Sequence, residues 1–196
     1  MRRRRRLPHL VVCVAAVIIG STTSLALAGA HLDPKALVLR PSDVPQGFGF
    51  VPAESRYWPN TALTGTAASP VLARSHRLNG YQGAYQKRDG ARLHEILTRA
   101  DVFRAPSGAE IFFTWFDRDQ RNSNADRIRK GAQPYVGRRA DLGQGGWIYV
   151  QQVPPDYVLV FWRYHRVFAW IRTWGVGVKP TLGLAKRQQR RIVTAS

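Results

Sequence analysis

The sequence predicts an α+β fold: an antiparallel sheet of about five or six strands, with one helix packed across it and a second helix at the C-terminus. Three observations support this fold class. Apolar and aromatic runs typical of strands occupy residues 80–103 and 146–174. An apolar stripe with helical spacing follows Ser107. A second helical pattern begins at Leu182.

The region before the first clear strand is predicted to hold only short elements. Asp33 can cap a helical turn that has Pro34 at its first position, and the prolines and glycine within 41–47 prevent a longer helix. A weak strand signal lies in 48–58. Residues 59–79 are rich in proline, threonine, alanine, glycine and serine without a period, so they predict an irregular loop.

Residues 80–103 predict a β-hairpin. Tyrosine and small residues alternate with glutamine up to a turn at 87–90, and a second apolar run follows it. One face of that second strand is apolar, whereas the other mixes charged and apolar side chains. The pattern therefore predicts a sheet with one buried face. The predicted buried face carries Ile96, Thr98, Ala100 and Val102.

The helix after the hairpin is predicted to start at a capping box. Ser107 can cap the first turn while Glu110 reaches back to the cap amide. An apolar stripe then predicts that this helix lies across the sheet. The helix either breaks near Asn122 or continues to Lys130, with Gly131 as its terminator. The stripe consists of Ala109, Phe112, Phe113 and Phe116.

The last third of the chain predicts a three-stranded antiparallel meander and a basic helix. The strands are expected at 146–153, 157–164 and 167–174, and both faces of the middle one are apolar enough for a central position. The helix is expected at 182–193. Its apolar face is predicted to contain Leu182, Ala185, Gln189 and Ile192.

Residues 1–30 have the three parts of a secretory signal peptide: arginines at 2–6, an apolar run at 10–19 and a small-x-small site at 26–28. A signal anchor is the alternative, because residues 7–30 are long enough for a bilayer span, which needs roughly 20 apolar residues. In both cases the remaining chain is predicted to be secreted or extracytoplasmic.

Removal of this segment would leave a single α+β domain at 31–196, whose size suffices for one hydrophobic core. The formal net charge would fall from +18 to about +13, because only basic residues are lost. The sole cysteine of the chain, Cys13, would be lost as well. We therefore expect no disulfide and no thiolate chemistry. Cys13 lies too early in the apolar run to suit a lipoprotein attachment site.

Two short sequence motifs resemble those of a group of exported bacterial proteins. Residues 43–48 resemble a "DLPxGF" motif and residues 103–109 resemble an "xxFxSxxGA" motif. Over about 35–194 the chain resembles uncharacterised exported bacterial α+β proteins. It is more distantly similar to extracytoplasmic sensor and lipoprotein domains of actinobacteria, some with Mog1/PsbP-like architecture. The resemblance implies a fold and a compartment, and it brings no catalytic motif.

The residues themselves predict no catalytic, cofactor or metal site. No two histidines have ligand spacing and no acidic cluster accompanies them. Ser107 is better explained as a cap than as a nucleophile, because it has no G-x-S-x-G elbow. The glycines at 143–146 precede a strand, so they lack the loop-to-helix order of a phosphate loop. We assign no cofactor.

One feature has functional potential, namely a basic surface with aromatic residues beside it. Such a surface can contact an anionic lipid, a cell-envelope polymer or an acidic protein, and export argues against nucleic acid. The alternative is that the aromatic residues are core and the basic ones are simply solvated. The proposed contact residues are Arg163, Arg166, Arg172, Lys186, Arg187, Arg190 and Arg191, beside Trp162, Trp170 and Trp174.

Three functional hypotheses follow. The first is a non-enzymatic binding or sensing module at the cell envelope. The second is a secreted carrier of a small ligand, which an enclosed apolar cavity would favour. The third is an enzyme with a site between the 59–79 loop and the sheet, which a pocket with converging histidine, aspartate and arginine would favour.

Overall fold

A computed structural model describes residues 32–151 and 156–196 of the protein. Its centre is an eight-stranded sheet in which every described pairing is antiparallel. The α+β prediction is confirmed. The sheet has eight strands where about five or six were expected, because the weak strand signal at 48–58 corresponds to two strands of two residues each and the strand Val136–Ala140 was not predicted. The strands are β1 (Gly49–Phe50), β2 (Arg56–Tyr57), β3 (Arg77–Asp89), β4 (Arg92–Phe103), β5 (Val136–Ala140), β6 (Gly146–Gln151), β7 (Tyr157–Tyr164) and β8 (Val167–Trp174).

Four α-helices accompany the sheet in the part of the chain described. They are α1 (Pro34–Leu37), α2 (Ser69–Ser75), α3 (Pro106–Arg129) and α4 (Val178–Ala195). Short 3-10 helices cover Pro41–Asp43, Pro52–Glu54 and Asn60–Leu63. As predicted, Asp33 caps α1, since its carboxylate accepts a hydrogen bond from the backbone N–H of Lys35 at 3.0 Å.

The strand order is β1-β3-β4-β8-β7-β6-β5, and β2 also pairs with β3. The predicted hairpin is β3 and β4, and the predicted meander is β6, β7 and β8. The two units join through the pairing of β4 with β8. The rest of the hairpin lies beyond β4 and the rest of the meander lies beyond β8, so β4 and β8 form the middle of the sheet.

Each face of the sheet is covered by its own pair of helices. Alternate residues of the strands pack beneath α1 and α4 on what we call the α4 face, and beneath α2 and α3 on the α3 face. The α4 face is mostly aliphatic, with one fully buried tryptophan, Trp162. The α3 face is mostly aromatic. Its largest fully buried side chains are Phe103, Phe161 and Phe168.

The prediction that β4 has only one buried face is wrong. Its first face, with Ile96, belongs to the core under α4 as expected, but Asp101 and Phe103 on the opposite face are also buried. The second face is covered because α2 and α3 pack there. A charged residue among apolar ones therefore indicated a buried ion pair at this position, and not a solvated surface.

The predicted helix across the sheet is present, but its start differs. Ala105 is the N-cap and makes no side-chain cap hydrogen bond, and Pro106 occupies the first helical turn. Proline suits that position because its φ is already helical and it has no N–H to satisfy. Ser107 therefore lies inside the helix, and Glu110 instead approaches Arg163, with a closest nitrogen-to-oxygen distance of 3.7 Å.

The helix α3 continues through residues 122–124 without a break and ends before Gly131, whose φ of +69° suits glycine. Asn124, two residues after the possible break at Asn122, binds the chain beyond the helix. Its Nδ2 donates to the carbonyl oxygen of Tyr135 at 3.0 Å, and the Tyr135 N–H donates to its Oδ1 at 2.7 Å. These bonds position the segment that leads into β5.

The 59–79 segment is less irregular than predicted. It contains the 3-10 helix Asn60–Leu63 and the helix α2, and β3 starts at Arg77. The helix α2 packs tightly against the start of α3, since a Cβ on Gly108 would lie 2.1 Å from the carbonyl oxygen of Ser75. Val71 and Leu72 of α2 are buried in the aromatic core of the α3 face.

The C-terminal helix starts four residues earlier than expected and buries a slightly different face. Gln188 is fully buried in place of Gln189, because its Nε2 donates to the carbonyl oxygen of Arg99 at 2.9 Å and its Oε1 accepts from the Thr98 hydroxyl at 2.8 Å. This polar contact fixes α4 on β4.

The predicted signal peptide or anchor, and the single cysteine, lie outside the described residues. Among residues 32–151 and 156–196, no helix has both the length and the apolar character needed to cross a bilayer.

Candidate functional site

A basic groove of about 580 Å³ lies between α4 and the segment that follows α1. We call it the α4 groove and define it by Arg40, Asp43, Arg187, Arg190 and Arg191, which all line it. Three of its four arginines come from α4, and Arg40 comes from the turn before the first 3-10 helix. The structure therefore places two segments that are distant in sequence on the two sides of one concave basic surface.

The helical repeat explains how α4 presents its arginines. Arg187, Arg190 and Arg191 are spaced at i, i+3 and i+4, so they share one side of the helix. Leu184 and Ile192 lie on the buried side and hold α4 against the sheet. The arginines are consequently carried by a helix that is anchored in the core, and not by a loose C-terminal tail.

Asp43 organises the groove from its centre. Its Oδ2 accepts a hydrogen bond from Arg191 Nε at 2.8 Å and one from the backbone N–H of Arg40 at 2.8 Å, and it lies 2.7 Å from Arg191 Nη2. Arg187 donates to the backbone carbonyl oxygen of Asp43. These contacts fix the orientation of two guanidinium groups.

The groove retains a surplus of positive charge. Four arginines surround the single carboxylate of Asp43, and the guanidinium groups of Arg40 and Arg190 form no ion pair with any residue the structure describes. Both side chains belong to exposed residues. An anion with several negative oxygens could therefore be bound without first breaking an internal ion pair.

The structure groups only part of the predicted basic surface. Arg187, Arg190 and Arg191 line the α4 groove, and Lys186 is exposed on the same helix. The three strand-region arginines are elsewhere: Arg163 is near Glu110 and Gln144, Arg166 is in the turn between β7 and β8, and Arg172 is near Glu95. One continuous surface of all seven residues is not formed.

The predicted aromatic neighbours do not lie in the α4 groove either. Trp162 is fully buried in the core of the α4 face, so it cannot stack on a ligand. Trp170 and Trp174 lie on the α3 face, because they alternate along β8 with residues that face α4. For Trp162, the alternative that strand aromatics are core residues is correct.

Arg40 was not among the predicted contact residues. It stands between Leu39 and Pro41, and this local sequence does not resemble a binding motif. Only the packing of α1 against α4 brings Arg40 to the groove. Asp43 is the residue from which the groove could have been predicted. An isolated carboxylate in a strongly basic chain is expected to pair with an arginine, and Asp43 pairs with Arg191.

A pocket is also present where the enzyme hypothesis placed one. This pocket, the α3 cleft, has a volume of about 280 Å³ and lies between α3, the 59–79 segment and the sheet. Its lining includes Asp101, but this carboxylate binds Arg77 and Arg99. Burial alone would raise the pKa of Asp101, yet the two guanidinium groups hold it below its ordinary value. Such a carboxylate is a poor proton acceptor.

The combination of residue types that the enzyme hypothesis requires occurs in a different pocket. His94, Asp156 and Arg172 line a cavity of about 1040 Å³ at one end of the sheet, where His94 Nδ1 lies 2.7 Å from the carbonyl oxygen of Gly175. No histidine lines the α3 cleft. No three histidine, cysteine or carboxylate side chains come together as a potential metal site among residues 32–151 and 156–196. The four arginines of the α4 groove, by contrast, are suited to binding anions.

Comparisons with known proteins include a distant likeness to a solved structure. No family model matches the chain, and no curated protein matches it. Among solved structures, it is similar to the extracellular domain of PknH from Mycobacterium tuberculosis, with 14% sequence identity over 82% of this chain and 92% of that chain, and a TM-score of 0.48. A likeness this distant supports no statement about function.

Proposed function

We propose that the protein is an exported, non-enzymatic module that binds a phosphate-bearing partner at the cell envelope through the α4 groove. The observation that carries this proposal is the concentration of four arginines around one carboxylate in a single concave surface. Phosphodiester groups match it, because a guanidinium binds two phosphate oxygens in a planar, bidentate manner. The leader-like residues 1–30 support export as part of the same proposal.

Two sources of phosphodiester fit the proposal, namely anionic lipid headgroups and a phosphate-rich polymer. Both would meet an exported domain, and both would be attracted by its net positive charge. A lipid surface would be bound through several headgroups at once, whereas a polymer would lie along the groove. Both sources present phosphate groups to the arginines, and binding measurements with vesicles and with soluble polymer distinguish them.

Binding to vesicles tests the proposal directly. We expect the full chain to bind vesicles that contain phosphatidylglycerol, and to leave phosphatidylcholine vesicles free. The double variant Arg40→Gln/Arg190→Gln should bind about 10- to 30-fold more weakly, since a basic residue near an anionic surface contributes about 1 kcal/mol. Binding of the unmodified chain should weaken steeply between 0.05 and 0.5 M salt. Co-sedimentation measures all of these quantities.

A matched control removes the same charge elsewhere. Arg88→Gln/Arg118→Gln changes two exposed arginines, at the end of β3 and on α3, and should reduce binding only slightly. Equal losses in the two double variants would contradict a specific role for the groove. A parallel titration with soluble glycerol phosphate polymer identifies the source of the phosphate. Absence of binding to both the vesicles and the polymer would contradict the proposed function.

A further inference from the structure

We infer that the α3 cleft is a second binding site, on the opposite face of the sheet from the α4 groove, and that it takes a small organic anion with an apolar body. The cleft has about 280 Å³, just below the usual 300–1,000 Å³ of ligand pockets. Its size therefore favours a small molecule. The side chains that matter for recognition are Trp115, Phe116, Tyr157, Trp170, Arg99 and Arg172.

The walls of the cleft are aromatic. Trp115 and Phe116 come from α3, while Tyr157 and Trp170 come from the sheet, and all four are only partly buried. Partly buried rings on two opposing walls leave apolar surface for a guest between them. Flat apolar groups gain from contact with such rings, because the contact removes apolar area from water.

Both arginines of the cleft are neighbours of Trp170 on the α3 face. In the register of β4 with β8, Arg99 is opposite Trp170 and Arg172 is opposite Leu97. Arg99 and Arg172 are therefore diagonal neighbours on one face of the sheet, within reach of each other's long side chains. A negatively charged group bound beside Trp170 would lie within reach of both guanidinium groups.

Arg99 presents the surplus charge of a buried ion cluster. Asp101 is 1% exposed and binds both Arg99, at 3.0 Å, and Arg77, so two cations share one carboxylate. Arg77 is fully buried and directs its remaining donors to Asn60 and to the carbonyl oxygen of Trp58. The unbalanced positive charge is therefore available to a ligand only through Arg99.

Arg172 has unused hydrogen-bonding capacity. Its Nε is buried and has no hydrogen-bond partner among the described residues. Its one ion pair there is with Glu95, at a closest nitrogen-to-oxygen distance of 3.5 Å, which is long for such a pair. Although the Arg172 side chain is 42% exposed, its buried Nε–H is unfavourable without an acceptor. An anion in the cleft could draw this guanidinium toward it and provide acceptors that the protein lacks.

The charge balance indicates a single negative charge on the ligand. The guanidinium groups of Arg77, Arg99 and Arg172 face the carboxylates of Asp101 and Glu95, which leaves one positive charge. A sulfonate, carboxylate or phosphate monoester monoanion on an aromatic or alkyl body matches both this charge and the aromatic walls. Larger polyanions do not fit a cleft of this volume.

Naphthalene-2-sulfonate and naphthalene-2-sulfonamide form a matched pair of probes, since both have the same ring system and only the first is charged. We expect calorimetric titration of the full chain to show at least about tenfold tighter binding of the sulfonate, as a hydrogen-bonded charge pair contributes that much. Arg172→Gln should reduce sulfonate binding to the level of the sulfonamide, and Arg172→Lys should retain part of the preference.

Two control variants keep the inference open to contradiction. Arg163→Gln removes an arginine from the α3 face outside the cleft, and Arg190→Gln removes one from the α4 groove. Both should bind the sulfonate as the unmodified chain does. Equal binding of the two probes, equal losses in Arg163→Gln and Arg172→Gln, or no binding at millimolar sulfonate would each overturn the inference. Vesicle binding by Arg172→Gln should stay unchanged, so failure here is distinct from failure of the α4 groove.

Discussion

Replacing Asp101 with asparagine is expected to lower the free energy of unfolding by about 3–5 kcal/mol, because it leaves buried charge without its counter-ion. Asp101 is 1% exposed and lies between Arg77, whose side chain is fully buried, and Arg99, whose side chain is 12% exposed. Asparagine keeps the size of the side chain but not its charge. Urea unfolding at pH 7, followed by tryptophan fluorescence, measures the change.

The stability lost in Asp101→Asn is also expected to depend on pH. The folded-state pKa of Asp101 is lowered from 3.8, so its ionised form contributes stability above about pH 4, and this contribution is lost as the pH falls through the folded-state pKa. The stability difference between the unmodified chain and Asp101→Asn should thus be constant from pH 5 to 8 and shrink below about pH 4. A constant difference down to pH 2 would contradict the ionic explanation.

Asp126→Asn provides the matched control. This carboxylate also pairs with two basic residues, Arg129 at 3.2 Å and Lys130 at 2.7 Å, but all three lie on the protein surface at the C-terminal end of α3. Ion pairs in water contribute little, since the charges are well solvated without each other. We expect Asp126→Asn to unfold at nearly the same urea concentration as the unmodified chain.

Replacing Phe168 with alanine is expected to lower the free energy of unfolding by about 3–5 kcal/mol, the usual cost of emptying a buried aromatic site. The ring is fully buried at the contact between β8 and α3, with centroids 5.0 Å from Phe112 and 5.1 Å from Phe116. Because these contacts hold α3 over the sheet, the substitution should also weaken sulfonate binding in the α3 cleft. Urea unfolding and calorimetry measure the two effects.

Two further variants serve as controls for the loss of stability in Phe168→Ala. Phe168→Leu keeps much of the volume and should cost clearly less than alanine. Phe50→Ala removes a phenylalanine that is 44% exposed on the edge strand β1, and the change should stay within about 1 kcal/mol. A loss in Phe168→Ala as small as that in Phe50→Ala would show that α3 does not depend on this ring.

The sequence predicted the elements whose partners are close along the chain. The hairpin of β3 and β4 and the meander of β6 to β8 follow from alternating residues and short turns, and both are present. The strand β5 was missed because Val136–Ala140 contains a glycine and two arginines, and its pairing with β6 defines it. The pairing of β4 with β8 joins distant segments, and no local pattern encodes it.

The charged residues were harder to place than the apolar ones. Asp101 and Arg99 lie in a strand whose second face looked solvated, and the tertiary fold covers that face with α2, α3 and the segment that contains Trp58 and Asn60. Without that packing, neither the ion cluster nor the α3 cleft could be predicted. Arg187, Arg190 and Arg191 were predicted as contact residues because α4 is regular, whereas Arg40 reaches the same groove only through the tertiary fold.

Successive side chains of β8 point to opposite faces of the sheet, so substitutions along this one strand can distinguish effects on folding from effects on binding. Val167, Ala169, Ile171 and Thr173 face α4, and the residues between them, including Trp170 and Arg172, face α3. A saturation scan that reads folded abundance and anion binding separately should therefore show a period of two along this strand. Abundance alone should respond at 169 and 171, and binding should respond most at 170 and 172.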